Sequence, residues 1–140
     1  MKNIDLLIEL NKSILEEKRR ELGLFLNEET SLENQIVFLD NDLIKEQNFS
    51  KLNIESIFYY DNYARSVSLK RRDLEQKLSQ IRQIIFKSRE LVNEAYLELR
   101  KFEITKENAD KKEKIEISRQ EQVRLDDISI NMFLRNANGH

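Results

Sequence analysis

The sequence contains no proline and no cysteine, and its only two glycines are Gly23 and Gly139. Proline and glycine are the residues that interrupt helices most strongly, so their scarcity favours long, continuous helices and argues against strands. Without cysteine there is no disulfide framework, no thiol nucleophile and no thiolate metal site. This composition is compatible with a reducing cytosol.

The chain also lacks an excess of charge of one sign. Charged residues make up 36% of the 140 residues, yet the formal net charge is only -2. Mixed-sign charge at this density is typical of long helices with solvated outer faces, and it disfavours duplex nucleic acid as a partner. Asp5 and Glu9 interrupt the apolar start, and no apolar run approaches the roughly 20 residues of a membrane span. We expect one soluble, unprocessed domain without membrane insertion.

No group of residues indicates catalysis. The only histidine, His140, is the last residue, and the sequence has no glycine-rich phosphate loop. A pair of long helices also offers no interior in which a nucleophile would be desolvated. We therefore expect no enzymatic activity, no cofactor and no metal site.

Two apolar seams with alternating spacings of three and four residues are the main pattern in the sequence. The first seam consists of Met1, Ile4, Ile8, Asn11, Leu15, Lys18, Leu22, Phe25, Glu29, Leu32, Ile36, Leu39, Leu43 and Glu46. The second consists of Ile57, Tyr60, Ala64, Val67, Arg71, Leu74, Leu78, Ile81, Ile85, Ser88, Val92, Ala95, Leu99 and Phe102. Two such seams predict an all-α fold, in which two long helices form an antiparallel coiled-coil hairpin.

The seams also predict a register and the element boundaries. Leu22 should face Ile81 and Phe25 should face Leu78, while the polar seam residues Glu29 and Arg71 fall in neighbouring layers, close enough to pair. We expect helix 1 at about residues 3–46, a turn at about 47–53, helix 2 at about 54–135 and a frayed tail at 136–140. The expected N-caps are Asn3 and Asn53, and the expected turn formers are Asn48 and Ser50.

The end of the second seam predicts an overhang. In this register nothing after Phe102 has an intramolecular partner, so the C-terminal helix is the longer one and extends past the hairpin. A capping box formed by Thr30 and Glu33 leaves open a kink in helix 1 near Thr30.

Several aromatic and apolar residues lie outside the seams. Near the turn they occupy outer positions, where an exposed patch would mark a protein interface: Val37, Phe38, Phe58, Tyr59 and Tyr63. The alternative is that they cover the bend or pack on Phe49. In the overhang, Leu125, Ile128, Met132 and Phe133 restore an apolar stripe at helical spacing that needs a partner.

Two groups of residues are characteristic. The first is the segment from Tyr60 to Tyr63, followed by Val67, Leu74 and Leu78, and the second lies near the C-terminus and consists of Gln122, Leu125, Asp126, Asp127 and Ile128. Over nearly the whole chain this layout resembles the FliJ/YscO family of flagellar and type III export proteins. The resemblance implies a cytoplasmic stalk, peripheral to the inner membrane at the export apparatus. Its partners would be the hexameric export ATPase, the export gate and substrate chaperones. Which secretion system it serves, flagellar or virulence-type, is left open.

The resemblance also implies where the partners bind. With the outer aromatics added, the candidate gate-binding residues are Gln35, Leu39, Phe58, Tyr59, Tyr63 and Val67. The candidate residues for the ATPase ring are Gln122, Leu125, Asp126, Asp127, Ile128 and Met132. Two further aromatics that the family carries on helix 1 are replaced here by Asp42 and Glu46, and Leu39 and Val67 are also seam positions that a core would bury.

A function of another class fits the same pattern. Two overhangs from two chains would pair in a homodimeric structural coiled coil that acts as a scaffold or tether. The stalk interpretation predicts a monomer in isolation, whereas the scaffold interpretation predicts a dimer that depends on concentration.

Overall fold

Two long helices make up the fold in a computed structural model that describes residues 2–51 and 54–138. Helix α1 spans Lys2–Ser50 and helix α2 spans Ile54–Asn138, and the described residues contain no strand. Gly23 lies inside α1, where an added Cβ would meet no other atom within 4 Å. This glycine therefore neither ends the helix nor serves a close approach. The prediction of an all-α fold is confirmed.

The helix ends differ from the sequence expectation at three polar residues. Asn3, Asn48 and Ser50 are helical, so they neither cap the helix nor form the turn. The buried Ser50 hydroxyl donates to the carbonyl oxygen of Gln47 at 2.7 Å. A serine side chain bonded to the preceding helical turn satisfies itself locally, so it does not compete with the helix. Asn53, the other expected cap, lies outside the described residues.

Helix α1 continues through Thr30 without interruption. The Thr30 hydroxyl donates to the carbonyl oxygen of Leu26 at 3.1 Å, within the preceding turn, instead of capping a new helix. At the other end of the chain, α2 extends past Arg135 to Asn138. The last two residues of the expected tail, Gly139 and His140, lie outside the described residues.

The contacts between residues divide the chain into two units. Unit 1 comprises Met1–Asn11 and Leu97–His140, and unit 2 comprises Lys12–Tyr96. Each unit contains one stretch of α1 and one stretch of α2. The packing within each unit therefore reports how these stretches meet.

In unit 2 the two helical stretches share an apolar core. Four buried residues form its main cluster: Leu32, Leu78, Ile81 and Ile85. Five half-buried residues pack against them: Leu22, Phe25, Leu26, Ile36 and Leu74. Full burial of a side chain of this kind contributes about 1.5–3 kcal/mol. With the exception of Ile57, which is 49% exposed, every predicted seam position of unit 2 is buried or half-buried.

The predicted polar pair is wrong. Glu29 does not pair with Arg71, because Glu29 accepts from Arg82 at 3.3 Å, while Arg71 donates to Asp40 and Glu75. In the predicted register Arg82 would lie beside Glu21 and Arg71 beside Leu32. The observed partners of these two arginines lie about two helical turns further along α1, as after a shift of one heptad, whereas Tyr63 bonds to Asp42, only two residues from its predicted neighbour Asp40. A seam with a seven-residue period keeps apolar residues opposite each other after such a shift, so the pattern alone did not distinguish the two registers.

In unit 1, a contact beyond Phe102 contradicts the predicted start of the overhang. Lys106 donates a hydrogen bond to Asp5, so the expectation that nothing beyond Phe102 has an intramolecular partner is wrong. This hydrogen bond lowers the pKa of Asp5 and raises that of Lys106. Ala109 is still half-buried, whereas every residue from 110 to 138 is exposed. We call residues 110–138 the exposed segment.

The buried core of unit 2 predicts a large difference between two leucines of α2. Leu78 is 8% exposed and belongs to the core, whereas Leu69 is 68% exposed. Leu78→Ala should lower the free energy of unfolding by about 2–4 kcal/mol, because it removes buried methyl groups and leaves a cavity. Leu69→Ala should change it by no more than about 0.5 kcal/mol. Urea unfolding of the main cooperative transition, followed by circular dichroism, measures both values, and equal effects would contradict this assignment of the core.

The exposed segment predicts uneven protection of backbone amides. It is helical but buries no side chain, and isolated helices gain most of their stability from packing of an apolar face. Its amides should therefore exchange with solvent at least about a hundredfold faster than those of residues 78–92 in the core of unit 2. Hydrogen exchange read by mass spectrometry tests this on the isolated protein. Similar protection in both stretches would mean that another chain covers the exposed segment in solution.

Candidate partner-binding surfaces

Aromatic side chains are exposed in the first turns of α2, in unit 2. Phe58 is 69% exposed and Tyr59 is 63% exposed, and Phe49 near the end of α1 is 60% exposed. All three rings keep more than half of their surface accessible to solvent, so each is available to a partner. Large exposed apolar side chains that lie close together mark interaction surfaces. The prediction from the sequence that Phe58 and Tyr59 are exposed agrees with their positions.

Tyr63 connects the two helical stretches of unit 2. Its hydroxyl donates to the carboxylate of Asp42 on α1, and its ring stacks on that of Tyr59, with the centroids 6.4 Å apart and the planes at 13°. The hydrogen bond to Asp42, with smaller contributions from burial and from the charges of Asp42 and Glu46, raises the pKa of Tyr63 to about 12. We call Tyr59, Tyr63, Asp42 and Glu46 the tyrosine–carboxylate cluster. Asp42 and Glu46 on α1 are thus part of this surface.

The other three candidate gate residues occupy different environments in unit 2. Gln35 is exposed and donates to the Ser31 hydroxyl at 3.2 Å, and Leu39 is half-buried. Val67 is only 3% exposed and is part of the core. Of these three side chains, those of Gln35 and Leu39 are accessible to a partner, whereas the buried side chain of Val67 is not.

Two open grooves lie between the helical stretches of unit 2. The first groove is lined by the apolar side chains of Leu39 and Leu74 and by the exposed ring of Phe38. The polar side chains of Asn34, Gln35 and Lys70 also line it. The second groove is lined in part by Val37, Leu78 and the exposed Phe86, beside Arg71 and Arg82. Phe86 was not singled out from the sequence. Phe86 is an aromatic residue outside the seam, so the criterion that identified Phe58 applies to Phe86 as well.

The candidate residues for an ATPase ring all lie on the exposed segment, in unit 1. Leu125, Ile128 and Met132 are exposed, and their neighbours Gln122 and Asp126 are joined by a hydrogen bond of 3.1 Å. Asp127 is exposed as well. Within the part of the chain that the structure describes, nothing covers this stripe. Local pairs such as Arg119 with Glu116, at 2.9 Å, give the segment modest helical support.

Residues 2–51 and 54–138 contain neither a metal-binding cluster nor a membrane-spanning stretch. In these ranges no three acidic, histidine or cysteine side chains come together as a metal site would require. Neither helix, as far as it is described, has a stretch long and apolar enough to cross a membrane.

Comparison with known proteins points to one family. A family model described as the flagellar FliJ protein matches residues 1–138. No curated protein and no solved structure matches the chain significantly. The family is a non-enzymatic component of flagellar protein export. Because the match extends over nearly the whole sequence, the chain belongs to the FliJ family, the FliJ/YscO type of flagellar export protein.

Proposed function

We propose that this chain is a non-enzymatic stalk component of a flagellar or type III export apparatus. In this proposal it contacts the hexameric export ATPase, the export gate and substrate chaperones. The exposed segment supports the proposal most directly, because it is a continuous helix of about 40 Å on which every side chain is accessible. Membership of the FliJ family supplies the biological setting.

The proposed architecture is an antiparallel coiled-coil hairpin with a longer, overhanging C-terminal helix. The order of contacts in unit 2 supports it, because partner numbers fall along α2 as they rise along α1. Glu29 and Glu33 contact Arg82, whereas Asp40, further along α1, contacts Arg71. We assign the overhang to the residues after Ala109.

The exposed segment is the proposed contact with the ATPase ring. Its charges alternate in sign and are solvated, and exposed ion pairs contribute at most about 1 kcal/mol each. An element that changes its contacts within a ring needs many such weak interactions and no single strong dock. The stripe Leu125, Ile128 and Met132, with Gln122, Asp126 and Asp127 beside it, would add a modest apolar contribution.

The aromatic surface of unit 2 is the proposed contact with the export gate. Phe58 and Tyr59 provide exposed rings, Tyr63 is fixed by Asp42, and Gln35 and Leu39 lie on α1. Rigid aromatic side chains are common energetic hot spots of interfaces. We propose that the protein is cytoplasmic and is held peripherally at the inner membrane by this gate contact.

A homodimeric scaffold is the second candidate, and the exposed apolar stripe near the C-terminus is the observation that favours it. If two chains paired through Leu125, Ile128 and Met132, these side chains would become buried in the dimer. Sedimentation equilibrium over a wide concentration range should give the mass of one chain, 16.8 kDa, for the stalk. A mass that rises with concentration, and that returns to one chain in Ile128→Asp, would favour the scaffold instead.

Removal of the exposed segment tests the proposed ATPase contact. A chain that ends after Ala109 keeps the pair of Asp5 with Lys106 and the whole core of unit 2. It should stay helical but lose binding to the export ATPase, measured by pull-down and by stimulation of ATP hydrolysis. In the full chain, Leu125→Ala with Ile128→Ala should weaken binding about tenfold. Leu24→Ala with Leu69→Ala, at exposed positions of unit 2, is the matched control and should change ATPase binding less than about twofold.

The reciprocal lesion completes this test. Phe58→Ala with Tyr59→Ala should weaken binding to the cytoplasmic part of the export gate and leave ATPase binding unchanged. Circular dichroism should show unchanged helix content, because both side chains are exposed. If either lesion disabled both interactions in a fully helical protein, the assignment of separate surfaces to the two partners would be wrong.

A further inference from the structure

The tyrosine–carboxylate cluster combines aromatic faces with negative charge on the outside of unit 2. Tyr59 is mostly exposed, and its ring lies nearly parallel to that of Tyr63. Asp42 and Glu46 are half-buried and lie one turn apart on the same face of α1, and Asp42 accepts the hydrogen bond from Tyr63. The cluster therefore presents an accessible ring next to two carboxylates that belong to a different helix.

The negative charge of this cluster is not neutralised within the described chain. Asp40, two residues before Asp42, forms an ion pair with Arg71. In contrast, no described lysine or arginine forms an ion pair with Asp42 or Glu46. The contact of Asp42 with Tyr63 does not change this, because a phenol donates its hydrogen bond as a neutral group and the carboxylate keeps its charge. Two carboxylates thus lack a cationic partner where a ring is exposed.

The side chain that satisfies both features is arginine. Its guanidinium group is planar, so it stacks on an aromatic face, and its N–H groups at the same time donate to carboxylates in the plane of the group. A lysine ammonium carries the charge without the plane. A purely apolar partner segment would instead cover Asp42 and Glu46 without pairing them, which costs free energy.

We propose that the tyrosine–carboxylate cluster binds an arginine side chain of a partner protein, stacked on Tyr59 and paired with Asp42 and Glu46. This inference rests on the proposed function and deepens it, because the same surface is the one assigned to the export gate. The arginine would belong to the gate. The bond from Tyr63 to Asp42 has a positioning role here, since it holds the carboxylate beside the stacked rings.

A small probe tests the chemistry of the site without the gate. N-acetylarginine amide is titrated into the full chain, and the ring signals of its tyrosines are followed by NMR. Signals of Tyr59 and Tyr63 should shift and approach saturation, while Tyr96, which is also exposed but lies outside the cluster, should shift much less. N-acetylcitrulline amide has nearly the same shape without the charge and should produce little change. Equal shifts at all three tyrosines, or equal shifts with both probes, would overturn the proposal.

A matched pair of charge substitutions tests the site with the gate protein. Asp42→Asn removes the charge but keeps an oxygen that accepts from Tyr63, so the fold should be retained. Asp61→Asn removes the same charge from an exposed residue of α2 without a described side-chain contact. Binding to the cytoplasmic part of the gate, measured by calorimetry at low salt, should weaken about five- to tenfold for Asp42→Asn, and less than about twofold for Asp61→Asn.

A third variant and the pattern of results separate the two proposals. Tyr63→Phe keeps the stacked ring but removes the bond to Asp42, and it should weaken gate binding less than Asp42→Asn. If the gate binds and the two asparagine variants weaken it equally, the arginine site is wrong while the gate assignment holds. If the arginine probe shifts Tyr59 and Tyr63 but the gate does not bind the wild-type chain, the site stands and the gate assignment is wrong.

Discussion

The burial of one apolar seam between two stretches of helix is the interaction on which unit 2 depends. Leu32, Leu78, Ile81 and Ile85 form its central cluster, and Leu15 and Val67 are buried elsewhere along the same seam. Val67, buried in the same seam, supports the helical turn that carries Tyr63, and the ion pairs of Arg71 and Arg82 border the core on its solvent side.

Much of this arrangement was predictable, because side-chain periodicity reports directly on which face of a helix is buried. Apart from Ile57, the seam positions that the structure describes, including the polar residues Asn11 and Ser88, are buried or half-buried as the spacing indicated. Asn11 satisfies its amide locally by donating to the carbonyl oxygen of Leu7 at 2.7 Å, so it does not require a partner across the seam. The register was not predictable, since a shift by one heptad preserves the apolar pattern. Only the polar pairs distinguish the two registers. Because their long side chains reach across more than one helical turn, the sequence does not determine which residues pair.

The candidate surfaces were predictable to the same degree and for the same reason. Phe58 and Tyr59 fall outside the seam, so their exposure followed from the spacing, and so did that of Leu125 and Ile128. The contact of Tyr63 with Asp42 did not follow, because it depends on which residues of α1 lie opposite α2. In the sequence, Asp42 and Glu46 stood only as departures from the aromatics that the resemblance implies. In the structure these carboxylates add charge, and Asp42 fixes the orientation of Tyr63.

The exposed segment has a consequence for how the chain melts. Its helix is supported by short-range pairs such as Arg119 with Glu116 and by no buried side chain, whereas the core of unit 2 joins residues distant in sequence. A helix held by local interactions unravels gradually from its free end, while a packed core is lost in a narrow interval of temperature. The ellipticity of the whole protein therefore reports two processes of different cooperativity. A single melting temperature does not describe this molecule, and its enthalpy of unfolding from calorimetry should exceed the value derived from the steepness of the optical curve.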